Sequence, residues 1–245
     1  MRDLRGKVAL VTGSSSGIGA ATARALDELG ACVVVNSASS VEAGERVASS
    51  LGDAIYVQAD VSVESDAQRL VQAAVERWGR LDIVVNNAGW TKLIPHHDLD
   101  SATDDVWEKV WRVNVMGPWF VTKAALPHLR RDGGGCVVNV ASIAGIRPTG
   151  SSIPYATSKA ALCHLTRLLA NVAGPAVRVN AVAPGLIETP WTADWGPVHQ
   201  HVAATAPLAR SGTPEDVAAA IVGVIDSPYM TGEIVLVDGG LSLRQ

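Results

Sequence analysis

The sequence predicts a single doubly wound α/β domain, and three observations carry that prediction. Short apolar, β-rich runs alternate with helical stretches from one end to the other. The apolar runs are continuous, as in parallel strands covered on both faces. No linker, repeat or low-complexity block interrupts the alternation. A length of 245 residues suits one large domain, and 48% hydrophobic residues supply a core for both sides of a sheet.

The elements follow in order. KVALVTG (7–13) reads as a first strand ended by glycine, and 14–30 as a helix closed by Gly30. ACVVVNS (31–37) is the second strand and 41–52 the second helix. Strand three is 54–62, and the next helix covers 65–79. LDIVVNNAG (81–89) is strand four, followed by a long helical region over 104–131. GCVVNVASIAG (135–145) is strand five, and an alanine-rich helix then runs to about Asn171. VRVNAVAPG (177–185) is strand six. The stretch 186–212, rich in Pro, Trp, Thr and Gly, reads as an irregular lid. A capped helix over 213–226 has Thr213 at its N-cap and Pro214 at its first position. EIVLVDGG (233–240) is the seventh and last strand.

Charge and cysteine usage exclude several classes. A net charge of −4 with a pI of about 5.8 leaves no basic footprint for nucleic acid or an anionic membrane. Cys32, Cys136 and Cys163 sit singly in apolar runs, which reads as buried thiols in a reducing compartment. The chain begins on a strand without a signal-like apolar segment, and no run is long enough to span a bilayer. The expectation is a soluble cytoplasmic protein. His96 and His97, and His199 and His201, lack partner ligands at usable spacing, so they read as solvated loop histidines and no metal is expected.

Chemistry gathers at one edge of the predicted sheet. TGSSSGIG (12–19) lies between the first strand and the first helix, where glycines let a backbone approach a pyrophosphate at a helix N-terminus. Polar or turn residues end the other strands: Asn36 and Ser37, Asp60 and Val61, then Asn86 to Gly89, Ser142, and Pro184 with Gly185. Ligands bind such sheets beyond the strands' carboxyl ends. In IPYATSKAA (153–161), Tyr155 and Lys159 stand one helical turn apart on one face.

TGSSSGIG, NNAG, Asn114, Ser142, Tyr155-x-x-x-Lys159 and the Pro-Gly at 184–185 occur in one order, with thirteen residues from Ser142 to Tyr155. Together they resemble the short-chain dehydrogenase/reductase family over nearly the whole chain, with 3-oxoacyl-carrier-protein reductase-like members as the closest look. The resemblance implies one Rossmann-type domain over 1–245, with a seven-strand parallel sheet, helices on both faces and a substrate-covering lid at about 186–212. It implies hydride transfer between a nicotinamide and a ketone or secondary alcohol. Tyr155 would be the general acid or base, with Lys159 lowering its pKa. Ser142 would hold the substrate oxygen, and Asn114 would anchor a water linking Lys159 to solvent. Gly13, Ser15, Ser16, Gly17, Ile18 and Gly19 would cradle the cofactor. Asn36 and Ser37 would read the adenosine ribose, Asp60 and Val61 flank the adenine, and Asn87, Ala88 and Gly89 line the ribose. Tyr155 and Lys159 would contact the nicotinamide ribose, and Pro184, Gly185, Ile187 and Thr189 the carboxamide.

Strand two ends in VVVNSASS without an acid, which favours NADP(H) over NAD(H). Trp90, Trp191 and Trp195 lie where a substrate would, which points to a bulky apolar or aromatic carbonyl; Trp78, Trp107 and Trp119 sit in helices where packing explains them. A 3-oxoacyl thioester is the alternative substrate. The segment 171–180 is nearly uncharged, unlike that of carrier-protein-dependent members, although Arg130 and Arg131 offer positive charge elsewhere. The family implies a homotetramer or homodimer. A cofactor-binding sensor or scaffold without turnover is the competing class, and its mark would be a broken Ser-Tyr-Lys set.

Overall fold

The computed structural model describes residues 3–131 and 133–244. Its strands are β1 Val8–Val11, β2 Cys32–Ser37, β3 Ala54–Gln58, β4 Ile83–Asn86, β5 Gly135–Val140, β6 Val177–Pro184 and β7 Ile234–Val237. They form one parallel sheet of order β3-β2-β1-β4-β5-β6-β7. Leu10 of β1 pairs with Val34 on one side and Val84 on the other. The helices are α1 Gly17–Glu28, α2 Val41–Ser49, α3 Glu64–Trp78, α4 Asp104–Trp111, α5 Gly117–Leu129, α6 Ile153–Ala173, α7 Gly196–Thr205 and α8 Pro214–Asp226.

Alternate residues of each strand feed opposite cores. Val11, Val33, Val35 and Val85 join Leu26 of α1 and Ile221 of α8 on one face. Leu10, Val34, Val84 and Val137 join Leu70 of α3, Leu129 of α5 and Leu169 of α6 on the other. Both faces are dry, so the strands need no polar alternation.

An ionic clasp ties the amino ends of β1 and β4. The Asp82 carboxylate, 6% exposed, accepts the Val8 N–H at 3.0 Å, the Lys7 ammonium at 3.0 Å, and Arg80 Nε and Nη2 at 2.8 and 2.6 Å. Burial pushes this carboxyl up, but the bonds from Arg80, Val8 and Lys7 outweigh it and hold it below the ordinary value.

Two segments differ from the sequence expectation. The long helical region is broken by a π turn, Arg112–Met116, that contains Asn114. Wide turns of this kind recur at functional sites. The stretch 186–212 is not irregular: it holds a short 3-10 turn, Pro190–Thr192, and the helix α7. Pro197 near the start of α7 suits a helix entrance. Val202 and Ala206, four apart, bury one side of it against Ile143 and Leu241. Both ends of the excursion are pinned together. Ile187 bridges Gly212, the Glu188 N–H donates to the Gly212 carbonyl at 2.9 Å, and the Gly212 N–H donates to the Leu186 carbonyl at 2.9 Å.

Candidate active site

Strand order reverses between β1 and β4, and a cleft of about 850 Å³ opens beyond their carboxyl ends. The glycine loop forms its floor. Gly13 has φ +62, and a Cβ there would lie 2.8 Å from the Ala88 Cα, so the loop closes against strand four only with glycine. Helix α1 begins at Gly17, and Ser16 at its N-cap makes no side-chain capping bond. The first-turn amides are therefore open to an anion where Ser16, Gly17 and Ile18 line the cleft. This cradle and the cleft's extent fit a dinucleotide. Ser15 and Gly19 do not line it. Gly19 packs instead, since a Cβ there would come 2.5 Å from Asn87 Nδ2.

The remaining expected positions fall along the same cleft. Asn36, Ser37, Asp60 and Val61 line one end, beyond β2 and β3. Asn87, Ala88 and Gly89 line the middle, and Pro184, Gly185, Ile187 and Thr189 the far wall. Asn36 differs from expectation in one respect. Its amide is 1% exposed and already committed: Oδ1 accepts the Gly13 N–H at 3.2 Å, and Nδ2 donates to the Val57 and Ala59 carbonyls at 3.1 and 3.0 Å. Asn36 thus holds the glycine loop to strand two. Ser37 shares a 2.8 Å hydrogen bond with the Tyr56 hydroxyl. Ser39 and Ser40 line the cleft there with fewer commitments.

Ser142, Tyr155 and Lys159 meet at the centre. Ser142 leaves β5 at the N-cap of a 3-10 turn, where its Oγ accepts the Ala144 N–H at 3.1 Å. That bond leaves its own hydrogen to donate. Ser152 caps α6 by accepting the Tyr155 N–H at 3.3 Å, which fixes the first turn that carries the phenol. Lys159 is 3% exposed, and its Nζ donates to the Val140 carbonyl at 2.8 Å. The same Nζ lies 5.6 Å from the Tyr155 ring centre.

The proton affinities run opposite to the sequence expectation. Burial pushes the Tyr155 phenol up to about 12, against a downward pull from its hydrogen bond with Ser142. Burial also pulls the Lys159 ammonium down to about 8. Lys159 bonds a carbonyl, not the phenol, so desolvation of both groups outweighs their attraction. Asn114 stands behind this group. Its side chain is fully buried and does not line the cleft. Oδ1 accepts the Trp90 N–H at 2.8 Å, and Nδ2 donates to the Trp90 carbonyl at 3.0 Å and to Ser158 Oγ at 3.0 Å. Ser158 in turn donates to the Tyr155 carbonyl at 2.7 Å. Asn114 therefore clamps the loop after β4 to the helix bearing Tyr155.

A family model described as Enoyl-(Acyl carrier protein) reductase matches residues 13–242. The chain is 60% identical over 239 residues to a Streptomyces violaceoruber protein named Granaticin polyketide synthase putative ketoacyl reductase 2, covering 96% of each. It is 39% identical to human Dehydrogenase/reductase SDR family member 4, covering 98% of this chain and 89% of that one. A Brucella melitensis structure titled Short-chain dehydrogenase/reductase SDR:Glucose/ribitol dehydrogenase superposes with a TM-score of 0.92 at 31% identity, covering 98% and 99%. This chain belongs to the short-chain dehydrogenase/reductase family. It is an oxidoreductase of that family, whose members use NAD(P)(H).

Within this short-chain dehydrogenase/reductase the three tryptophans of interest all line the cleft. Trp191, 47% exposed, meets the Tyr155 ring edge-on with centres 6.3 Å apart. Trp119 is half-exposed, so packing within one chain does not account for it. Sequence reading missed several cleft residues, including Leu93, Lys109, Val113, Val198 and His201. None belongs to a motif; only the fold brings them together. Thr12 was also silent, yet its Oγ1 accepts the Asn87 and Ala88 N–H groups at 3.0 Å each and shapes the turn. His199 lies in α7, not a loop, and bonds Ser211 Oγ at 2.7 Å and the Thr192 carbonyl at 3.1 Å. Among the described residues no group of three or more His, Cys, Asp or Glu could hold a metal ion. No helix among them is long and apolar enough to cross a membrane.

Proposed function

We propose that this chain interconverts a bulky ketone and its secondary alcohol, with NADP(H) as the favoured nicotinamide. The convergence of Tyr155, Ser142 and Lys159 in a cleft that fits a dinucleotide carries this reading. The bound nicotinamide supplies or takes the hydride. In reduction, the Tyr155 phenol donates its proton to the carbonyl oxygen as negative charge grows there. Ser142 Oγ, hydrogen-bonded to Tyr155, turns its hydrogen to the same oxygen. Lys159 holds positive charge near the phenol and bonds the nicotinamide ribose. Asn114 keeps Trp90 and Tyr155 in mutual register. Gly13, Ser16, Gly17 and Ile18 would hold the pyrophosphate, Asp60 and Val61 the adenine, and Ile187 and Thr189 the carboxamide. The segment 186–212 serves as the lid.

The direct test monitors absorbance of the reduced nicotinamide with NADPH and NADH against β-ketoesters, diketones and aryl ketones. Turnover, with tighter binding of NADPH in a fluorescence titration, is the expected result. Tight cofactor binding without turnover on any ketone would favour the sensor class instead, and equal dissociation constants would remove the NADP(H) preference. Small donors at Ser37, Ser39 and Ser40 support that preference, since they can bond a phosphate where an acid would repel one.

Trp191 and Trp195 are proposed as walls of the substrate site. Trp191→Ala and Trp195→Ala are expected to lower kcat/KM for aryl ketones about tenfold relative to small aliphatic ones. An unchanged ratio across the series would refute this.

A second substrate reading, a 3-oxoacyl thioester, is favoured by the name of the Streptomyces relative. The free thiols Cys32, Cys136 and Cys163 support a cytoplasmic location. Half-exposed Trp111 and Trp119 and exposed Leu168 and Val172 support a homodimer or homotetramer.

A further inference from the structure

The cleft wall carries one cation with no part in the hydride chemistry. Lys109 of α4 lines the cleft, and its Nζ lies 4.4 Å from the centre of the Trp90 ring. Asp105, one turn earlier on α4, is the natural helical partner for this lysine. The Asp105 carboxylate instead accepts the Thr103 hydroxyl and feels Lys92. No carboxylate among the described residues pairs with Lys109, so its ammonium rests on an aromatic face in the cleft wall. That perch costs little and leaves its hydrogens available.

The surroundings define what such a cation faces. Trp90 directly follows Gly89, where a Cβ would lie 3.7 Å from Lys159 Nζ and 3.6 Å from Trp191 Cη2. Trp90 is thus the chain neighbour of a residue that reaches Lys159 and Trp191, and its ring and Lys109 line the same cleft as the catalytic groups. Asp60 is the only carboxylate among the described cleft residues, and it lies past β3 on the other side of the glycine loop. His201 of α7 also lines the cleft. A cleft walled by indoles, with an ammonium that pairs with no carboxylate among the described residues and with its lining acid at the far end, is complementary to an apolar body that ends in an anion.

We propose that Lys109 is a specificity-determining residue that receives an anionic group of the substrate, set apart from the reacting ketone by an aromatic body or a pantetheine arm. This rests on the ketone-reductase reading and deepens it. The anion is a carboxylate or phosphate. It comes from a free oxo acid or from the phosphate of a pantetheine-linked thioester.

Paired probes test this. 4-Acetylbenzoate is compared with its methyl ester, and S-acetoacetyl-pantetheine with its 4′-phosphate, in wild type, Lys109→Met and Lys109→Arg. The wild-type chain is expected to favour the charged member of at least one pair by about tenfold in kcat/KM, mostly through KM. The responding pair identifies the source of the anion. Lys109→Met should abolish the preference, Lys109→Arg should retain it, and added salt should shrink it. A charged-to-neutral ratio that is the same in wild type and Lys109→Met overturns the proposal. So does an equal loss of kcat on both members, which marks a merely structural role. Ester turnover by the wild type reports on the ketone-reductase reading independently. If no ketone turns over, calorimetric binding of the same pairs to the NADP+-loaded chain reads the preference without catalysis. Equal affinities there overturn it.

Discussion

Tyr155→Phe is expected to lower kcat by about 10³-fold while the chain still binds its nicotinamide cofactor. The substitution removes one hydroxyl and leaves the ring, so the edge-on contact with Trp191 and the Ser152 cap on the Tyr155 amide persist. What disappears is the only phenol among the described cleft residues, and with it the proton donor beside Ser142. The high proton affinity makes the effect directional. A phenol pushed up to about 12 stays protonated through neutral and mildly alkaline pH, which suits donation to a carbonyl. Lys159, pulled down to about 8, loses its charge first as pH rises. The rate of ketone reduction is therefore expected to fall above about pH 8 as the ammonium deprotonates, and not with the phenol. A profile flat to pH 10 would separate Lys159 from the chemistry. A Tyr155→Phe variant with wild-type kcat would remove Tyr155 from its assigned role.

The second large effect lies at the opposite edge of the sheet. Asp82→Ala is expected to cost about 3 to 5 kcal/mol in stability, because Lys7, Arg80 and the Val8 amide lose one shared buried acceptor. That corresponds to a drop in Tm of roughly 10 °C for a domain of this size. The sign with pH follows from the direction of the shift. The folded carboxyl sits below its ordinary value, so its stabilisation is complete above the unfolded pKa near 3.9 and fades as pH falls through the lower folded value. Urea unfolding of wild type and Asp82→Ala should therefore differ most at neutral pH and converge in acid. A gap that stays constant down to the acid limit would mean the charge contributes nothing. Because Asp82 lies at the strand ends opposite the cleft, the variant's kcat below its melting range should stay near wild type.

Much of the architecture was legible because its signals are local. The strands announce themselves by unbroken apolar runs such as Val33 to Val35, and that pattern has a single physical cause: two dry faces. The glycine loop and the order of Ser142, Tyr155 and Lys159 carried the site for the same reason, since close approach and helical spacing are written in adjacent residues. Other features depend on three-dimensional surroundings. The upward shift of Tyr155 comes from burial by segments distant in sequence, which a Tyr-Lys spacing does not encode. Asn114 reads as an ordinary helix polar residue until the π turn aims its amide at Trp90. Helix α7 hid behind Pro197 and two histidines, although the spacing of Val202 and Ala206 was a usable sign. Lys109 sits in no motif; only the packing of α4 beside the loop after β4 makes it a cleft residue.

The pinned base of the 186–212 excursion has a consequence for how this scaffold diversifies. Leu186, Ile187 and Glu188 meet Gly212 directly, so the chain leaves and rejoins the domain at nearly one point. Between those anchors the insert touches the domain through Val202 and Ala206, on Ile143 and Leu241, so a change of length bears on that contact first. Closing a longer or shorter insert there costs only slowly rising chain entropy. The segment is thus an exchangeable cassette: its residues can be rewritten for new ligands while the clasped sheet beneath keeps the reacting groups in place.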